Sequence, residues 1–586
     1  MSKQPVESSQ AEANAARIMN KGPGGIHPGV FYPAFGILLA ATLLAIFKPD
    51  LTAEKLWDVQ LHIVDKFGWF YVLSIAIFLI FSLWMGLSRF GDIRLGPDDE
   101  EPEFSTLAWF CMLFAAGMGI GLVFWGVAEP LTYTFTDIKP GVDAEGADLA
   151  HQAMAQVFLH WGFHAWAIYV VVGLALAYSI HRKGNPVSIR WALEPIFGDR
   201  VKGWIGDVID TVAVVGTVAG VATSLGLGVQ QIGAGLVHLG VFDEVTDPIL
   251  IGLIVVITAL ATLSVVSGVG KGIKWLSNFN LGLAAIFVVV VLFLGPTLFL
   301  LRGWLENIGV YLAQVIPLTF DNATFTWDEA MVGEGARTGS GWQSSWTIFY
   351  WGWWVSWAPF VGVFIARISR GRTIRQFVGG VLLVPTMVTF FWFSVLGGSG
   401  IFQEMFSDGG LVGEDADGNP AVEQEGSLFG LLDTLPMSTL MAIVAVVLIT
   451  IFFITSSDSG SLVVDMLASG GDPEPPTWSR VLWAVLEGAV AIALLLAGGL
   501  AALQYGAIII ALPFAVIMLL MCVAIAKELR GEHRLMERAR RRAVREELAK
   551  DVGVSVTEDL TENFDEHFGE PVELHVEKVL AQHKND

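Results

Sequence analysis

Apolar runs of the length needed to cross a lipid bilayer recur along most of this 586-residue chain. A membrane-spanning helix takes roughly 20 consecutive apolar residues, because each residue advances about 1.5 Å through a hydrocarbon core about 30 Å thick. Hydrophobic residues form 54% of the chain and charged residues only 16%, a balance that soluble domains do not show. The sequence therefore predicts an all-α polytopic membrane protein.

Twelve spans are predicted, and an even number places both ends of the chain on one side of the membrane. The connections after even-numbered spans hold fourteen lysines and arginines, whereas those after odd-numbered spans hold six. Because basic loops stay in the cytoplasm, we expect a multi-pass protein of the cell membrane with cytoplasmic segments at residues 1–28 and 527–586. The spans cover approximately residues 29–47, 68–88, 105–126, 155–178, 207–236, 249–266, 277–301, 342–366, 377–396, 437–456, 481–500 and 506–526.

Two segments outside the spans have their own patterns. The stretch LRGWLENIGVYLAQVIPL, at the start of the extracellular segment 302–341, has apolar residues at helical spacing and predicts an amphipathic helix along the membrane surface. The tail is basic over residues 526–550 and acidic over 551–586. Its basic part can bind anionic lipid, and a plain solvated tail is the alternative. We expect no nucleic-acid partner.

Alternating glycines interrupt the third span, which contains AAGMGIG. Each of Gly117, Gly119 and Gly121 weakens a helix by about 1 kcal/mol relative to alanine. One interpretation is close packing of helices through small residues. The other is a helix broken at mid-depth, where freed backbone groups face an ion or a ligand instead of lipid.

The tenth span ends in FFITSSDSGS, which places several hydroxyl groups at one end of an apolar helix. Such hydroxyls can simply hydrogen-bond the carbonyls of their own helix. Combined with a broken helix nearby, they form a set of hard oxygen ligands that suits a small hard cation such as sodium.

Aromatic residues share one face in each of two other spans. In the fourth span this face holds Trp161, Trp166 and Tyr169, at 100° per residue. In the eighth, WGWWVSW places Trp353, Trp354 and Trp357 within an arc of about 100°, and Trp351 outside it. Interfacial tryptophans belong at span ends, so these rings either pack a core or form a box for a quaternary ammonium group.

Three further polar residues lie within spans. His160 and His164 are four residues apart on a helix, which fits either a metal pair or two histidines satisfied by packing. Glu487 is either functional, as intramembrane acids often are, or close enough to the span end to reach the interface or a basic partner. Because no nucleophile–base pair and no metal-ligand spacing occurs in the spans, we expect neither an enzyme nor a cofactor.

Four stretches together resemble the betaine/carnitine/choline transporter family over about residues 30–525: AAGMGIGLVFWGVAEPLT, HWGFHAWAIYVVVGLALAYS, WTIFYWGWWVSWAPFVGVFIARISRGR and FFITSSDS. The resemblance implies a leucine-transporter-like fold. Two accessory helices at 29–104 would precede two inverted repeats of five helices, at 105–301 (spans 3–7) and 342–526 (spans 8–12). It also implies a homotrimer.

The form GMGIG resembles the sodium-driven carriers of betaine and ectoine within that family. The resemblance therefore implies a sodium symporter that imports a zwitterionic compatible solute for osmotic protection by alternating access. Glycine betaine is the first expectation and ectoine the next, with sodium as the coupling ion. Two alternatives stay open: a sodium-independent exchanger of quaternary ammonium compounds, and a membrane osmosensor that binds solute without moving it.

The resemblance also assigns roles to individual positions. The substrate box maps onto Trp161, Trp166, Tyr169 and Trp354, beside Gly117, Gly119 and Gly121, and the gate or pathway maps onto Trp353 and Trp357. One sodium site maps onto Ala115, Met118, Phe452, Thr455 and Ser456. A second sodium site maps onto Thr217 and Phe360, but Val221 stands where the family pattern has a threonine.

Overall fold

A computed structural model describes residues 25–117, 119–267, 270–333, 335–564, 569–582 and 584. Its contacts divide the chain into two units, one up to Ile525 and the other from Ala526 onwards. The described residues are almost entirely helical, apart from a small antiparallel ribbon of β1 (Gly413–Glu414) and β2 (Pro420–Ala421) in the loop before α17.

The helices of the first part of the chain correspond to the predicted spans 1 to 7. They are α1 (Pro28–Phe47), α2 (Pro49–Leu87), α3 (Thr106–Gly117), α4 (Ile120–Leu131), α5 (Gly146–Trp161), α6 (Phe163–Ala177), α7 (Ile189–Ala192), α8 (Glu194–Phe197), α9 (Trp204–His238), α10 (Asp247–Ser267) and α11 (Gly270–Leu294). Single π-helical turns follow α4 at Thr132–Thr136 and α6 at Tyr178–Arg182.

The remaining helices are α12 (Thr297–Thr319), α13 (Glu329–Val332), α14 (Gly339–Ser345), α15 (Thr347–Ile368), α16 (Ile374–Phe406), α17 (Ser427–Asp433), α18 (Ser438–Ala468), α19 (Thr477–Phe564) and α20 (Glu570–Gln582). The start of α16 is fixed by its sequence. The Thr373 side chain accepts a hydrogen bond from the Gln376 amide, and the Gln376 side chain accepts one from the Thr373 amide.

Among the described residues, ten helices are long and apolar enough to cross a membrane. This confirms the all-α polytopic membrane protein. Two features explain why this number is smaller than the predicted twelve. The third span is divided into α3 and α4, of 12 residues each, and the last two spans fall within α19, whose backbone leaves the helical region at Gly498 and Gly499. The twelve spans and the inverted repeat stay predictions.

The single helix assumed for the fourth span is wrong at Gly162. This residue has φ −98° and ψ −136° and separates α5 from α6. A Cβ atom there would collide with the Phe158 carbonyl and lie 2.8 Å from the Phe390 ring. The break therefore lies between Trp161 and Trp166, so these two residues are not on the one continuous helix that the sequence predicts.

The amphipathic stretch after the seventh span is helical, as α12. Its buried residues, Leu300, Asn307, Tyr311 and Thr319, recur at helical spacing, so one face of the helix packs on the protein. Its place on the membrane surface stays a prediction.

The helices that carry the sequence motifs pack on one another. Helix α9 lies against α18, α15 lies against both α6 and α9, and α16 lies against α4 and α6. Most residues on their facing sides are buried, while Thr455 and Ser456 of α18 are half-buried. The glycine, aromatic and hydroxyl motifs therefore meet in one interior region.

Candidate substrate and ion site

The glycine motif forms a break between two short helices. Gly119, which caps α4, has φ −149° and ψ −143°, outside the helical region. A Cβ atom on Gly119 would lie 3.8 Å from Oγ of Ser456 and 3.8 Å from the Trp357 ring. The structure thus shows a broken helix whose break faces both the hydroxyl motif of α18 and the tryptophans of α15.

Gly121 permits a close approach between α4 and the aromatic rings. A Cβ atom at this position would collide with the ring of Trp353 and lie 3.0 Å from that of Trp161. The backbone amides at the start of α4, which carry the positive end of the helix dipole, therefore lie beside these indoles.

Trp354 is the centre of the aromatic cluster. Its ring centroid lies 4.9 Å from that of Trp161, at an interplanar angle of 71°, and 6.5 Å from that of Tyr169, at 73°. Trp166 touches Tyr169 edge-on, with centroids 5.4 Å apart. All four rings predicted for the box are buried and form one connected set.

A second row of rings extends from Trp354 along α15. Trp353 stacks on Trp354 at 4.5 Å, Trp357 lies 6.0 Å from Trp353, and Phe360 lies 6.0 Å from Trp357, with planes inclined by 17° or less. The predicted shared face of Trp353, Trp354 and Trp357 is confirmed. Trp351 turns away as predicted, and its ring stacks on His164 at 5.7 Å.

Most indole N–H groups in the cluster are already hydrogen-bonded. Trp161 donates to Oε2 of Glu129 at 2.7 Å, Trp354 to the His160 carbonyl at 2.9 Å, and Trp353 to Oγ of Ser224 at 3.2 Å. These bonds fix the ring orientations.

Two hydrogen-bond donors in the cluster differ from these. The Tyr169 hydroxyl and the Trp357 indole N–H are buried and have no hydrogen-bond partner among the described residues. Both rings neighbour Trp354, with centroids 6.5 and 6.3 Å from it. A buried donor without a partner is costly, so these two groups are available to a polar ligand.

Glu129, which the sequence patterns did not single out, has a completely buried side chain. Besides Trp161, its Oε2 accepts a hydrogen bond from the Tyr350 hydroxyl at 2.6 Å, and its Oε1 lies 2.8 Å from Nδ1 of His160. Glu129 lies three residues beyond the predicted end of the third span, at about residue 126. Helix α4 continues to Leu131, and an acid within an apolar helix was the available signal.

The hydrogen-bond network of Glu129 continues away from the rings. His160 Nε2 lies 3.0 Å from Thr347 Oγ1 and 3.0 Å from Gln156 Nε2, and Gln156 accepts a hydrogen bond from Lys139 at 3.0 Å. Lys139 in turn pairs with Asp321 at 2.5 Å. Burial alone would raise the pKa of Asp321, but this ion pair holds its pKa below the usual value.

Both ring nitrogens of His160 have side-chain partners, whereas Nδ1 of His164 is buried without a hydrogen-bond partner among the described residues. The hydrogen bonds of His160 are given above, and His164 Nε2 lies 2.8 Å from Thr319 Oγ1. Within the described part of the chain, no group of three histidine, cysteine or carboxylate side chains could hold a metal ion. The structure therefore supports the packing interpretation of this pair.

The predicted first sodium site is described in part. Thr455 donates to the carbonyls of Ile451 at 2.9 Å and Phe452 at 3.2 Å, so its hydroxyl bonds to its own helix. Ser456 is the member that faces the break at Gly119. Met118 lies outside the described residues, as does the side chain of Ala115, while Gly117 ends α3.

The residues of the predicted second sodium site lie on helices that touch. A Cβ atom on Gly220 of α9 would be 3.0 Å from the Trp357 amide nitrogen of α15. Thr217 donates to the Ala213 carbonyl at 2.8 Å, again within its own helix. A sodium role for Thr217 and Phe360 stays a prediction.

Comparison with known proteins gives consistent results. Residues 29–534 match the model of the betaine/carnitine/choline family transporters. An uncharacterized transporter of Mycobacterium tuberculosis is 50% identical over 507 residues, covering 86% of this chain and 82% of the relative. The glycine betaine transporter OpuD of Bacillus subtilis is 42% identical over 510 residues (87% and 96%). A glycine betaine/proline/choline/ectoine transporter of Vibrio parahaemolyticus is 41% identical over 516 residues (86% and 88%).

The close approach at Gly121 can be tested by adding one methyl group. Gly121→Ala forces a Cβ atom against Trp353 and Trp161, and overpacking of this kind costs about 1–3 kcal/mol. We expect a lower thermal unfolding midpoint and an altered near-ultraviolet circular dichroism of the tryptophans. The control is Gly379→Ala, where a Cβ atom would meet no atom within 4 Å. Equal midpoints for both variants would show that the approach at Gly121 is not tight.

Proposed function

The chain belongs to the betaine/carnitine/choline transporter family, and on this basis we propose that it imports a zwitterionic compatible solute together with sodium. The family is one of transporters, which confirms that the protein is not an enzyme. Relatives that cover most of the chain are named for glycine betaine, and one of them also for ectoine. We take glycine betaine as the first substrate and ectoine as the next.

The observation that carries this proposal is the chemistry of the aromatic cluster. Trp161, Trp354 and Tyr169 present ring faces at steep angles to one another. A trimethylammonium group has no N–H to donate, and each face that it meets contributes about 0.5–2 kcal/mol when water is excluded. These rings touch in this conformation, so a bound cation must part them.

The other end of a zwitterion is a carboxylate, and donors for it are available in the same place. The Tyr169 hydroxyl and the Trp357 N–H lack partners among the described residues. The start of α4 at Gly119 and Gly121 adds backbone amides beside the rings. One cluster thus offers ring faces to the cation and hydrogen-bond donors to the anion.

Sodium is proposed to bind where the break in the third span meets α18. Hydroxyl and carbonyl oxygens are the ligands that a small hard cation prefers, and Ser456 lies beside Gly119. An ion there would hold the break in one shape and so favour the arrangement that accepts solute. Because linkage is reciprocal, solute would raise the affinity for sodium by the same factor. Alternating access would then couple the two fluxes.

We also propose a location and an orientation for the protein in the cell. Its apolar helices make it a multi-pass membrane protein. We infer that both ends are cytoplasmic, that the protein is a homotrimer, and that the basic part of the tail binds anionic lipid. The distribution of basic residues supports the first inference and the charge of the tail supports the last.

The proposed function is tested by uptake into proteoliposomes of a panel of radiolabelled zwitterions, including glycine betaine, ectoine and proline. An inward sodium gradient should drive accumulation, and replacing sodium by potassium should abolish it. Unchanged uptake in potassium would favour the sodium-independent exchanger. The absence of counterflow with every solute would favour the osmosensor.

The role of Trp354 is tested by Trp354→Leu, which removes the central ring. We expect glycine betaine binding to weaken at least about tenfold, since one or two cation–π contacts are lost. The matched control is Trp351→Leu on the same helix, whose ring lies against His160 and His164 instead of the cluster. Calorimetric titration of the purified variants measures the dissociation constants. If both variants bind as tightly as the parent protein, core packing is the better account of the cluster.

The sodium site is tested by the double substitution Thr455→Ala with Ser456→Ala. Loss of two hydroxyl oxygens should raise the sodium concentration for half-maximal uptake, with little change in the unfolding temperature. Thr450→Ala is the control, because Thr450 bonds to the Val446 carbonyl of the same helix at 2.8 Å, much as Thr455 bonds to that of Ile451. An equal sodium requirement in the double variant and the control would rule out these oxygens as ligands.

A further inference from the structure

Glu487 of α19 is completely buried, and neither of its carboxylate oxygens has a hydrogen-bond partner among the described residues. The sequence left two simple explanations for this acid, contact with the interface or a basic partner. Because the Glu487 side chain is completely buried, contact with the membrane interface is excluded. Arg480, the basic residue two helical turns earlier, pairs instead with Asp458 at 3.1 Å. An ionised carboxylate in such surroundings is strongly unfavourable unless its charge is compensated.

The carboxylate faces the contact between α18 and α9. A Cβ atom on Gly460 would lie 3.6 Å from Oε1 of Glu487 and 3.0 Å from Cγ2 of Val221. Neither Gly460 nor Val221 has a polar side chain. Ser457, three residues before Gly460 and so on a nearby part of the same helix face, has a buried hydroxyl that is also without a partner among the described residues.

The neighbours of Glu487 indicate whether it binds a metal ion or a proton. A dehydrated metal ion needs several oxygen ligands, whereas the described side chains near Glu487 add the hydroxyls of Ser457 and Thr258 and the carboxylate of Asp458, which Arg480 already pairs. A proton needs a single carboxylate oxygen. The geometry therefore favours a proton, and not a metal ion, as the cation that Glu487 binds.

Charged groups connect the site to the start of α19. Asp458 of α18 interacts electrostatically with Glu487 and forms the ion pair with Arg480. Arg480 precedes Glu487 by seven residues, about 10.5 Å along the same helix face, and its side chain is 21% exposed. Asp465, also on α18, bonds to Ser479 and interacts with Arg480. From α10, the uncharged Thr258 faces the neighbouring Gly488.

We propose that Glu487 is a proton-binding site of the transport cycle. In one conformation its carboxylate takes a proton from water and forms an O–H bond, and in another the proton returns to water past Asp458 and Arg480. Solute movement would then be accompanied by proton movement as well as by sodium. The role of Glu487 in transport rests on the proposed function, but the binding of a proton by Glu487 does not.

The proton site is tested first by infrared spectroscopy of the full-length protein in lipid. The difference between acidic and alkaline buffer should contain a carboxylic acid band from a buried group. Glu487→Gln keeps the size of the side chain and cannot ionise, so this band should disappear. Asp408→Asn, in an exposed loop, should retain it. Identical spectra for the parent protein and Glu487→Gln would overturn the proposal, whatever solute the protein transports.

The role in transport is tested in proteoliposomes with a pH indicator outside. Addition of glycine betaine with sodium should cause proton uptake with the parent protein and with Glu487→Asp, which keeps an acid at this position. Glu487→Gln should exchange glycine betaine but lose the linked proton uptake. Proton uptake that persists in Glu487→Gln would overturn the proposal. If the parent protein exchanges no solute, the proposed function fails, and the infrared band alone decides whether Glu487 binds a proton.

Discussion

The carboxyl group of Glu129 joins α4 to α5 and α15, two of the three helices that carry the rings of the aromatic cluster. It is supplied by α4, and its partners Trp161 and His160 come from α5 and Tyr350 from α15. Hydrogen bonds strengthen where water is excluded, and the Glu129 side chain is completely buried. The orientation of Trp161, and with it the face that this ring turns towards Trp354, therefore depends on an acid that itself lies outside the cluster.

Two breaks in the helices flank the same cluster. Backbone that leaves the helix at membrane depth is tolerated only inside protein, where other groups satisfy it. Gly119 opens the third span beside Ser456 and Trp357, and Gly162 opens the fourth directly after Trp161. Both helices thus contain a point at which the regular helical backbone is interrupted. In the proposed transport cycle, such points would let rings that touch part and close again around a solute.

Sequence periodicity was sufficient for the features that depend on a single helix. It placed Trp353, Trp354 and Trp357 on one face and turned Trp351 away, and the glycine spacing offered a broken helix as one of two interpretations, which Gly119 confirms. It did not find the break at Gly162, because a single glycine within a span is compatible with an unbroken helix. Glu129 was missed because the end of a span cannot be located to within a few residues. That Glu487 has no hydrogen-bond partner among the described residues is a property of tertiary packing.

We propose that sodium and a zwitterion stabilise the same arrangement of the broken helix and the aromatic cluster. The most direct test of this proposal is the dissociation constant of glycine betaine for the purified protein, measured by calorimetry in sodium and in potassium at equal ionic strength. The account predicts tighter binding in sodium, with a reciprocal increase in sodium affinity when glycine betaine is present. Equal dissociation constants in the two salts would contradict it.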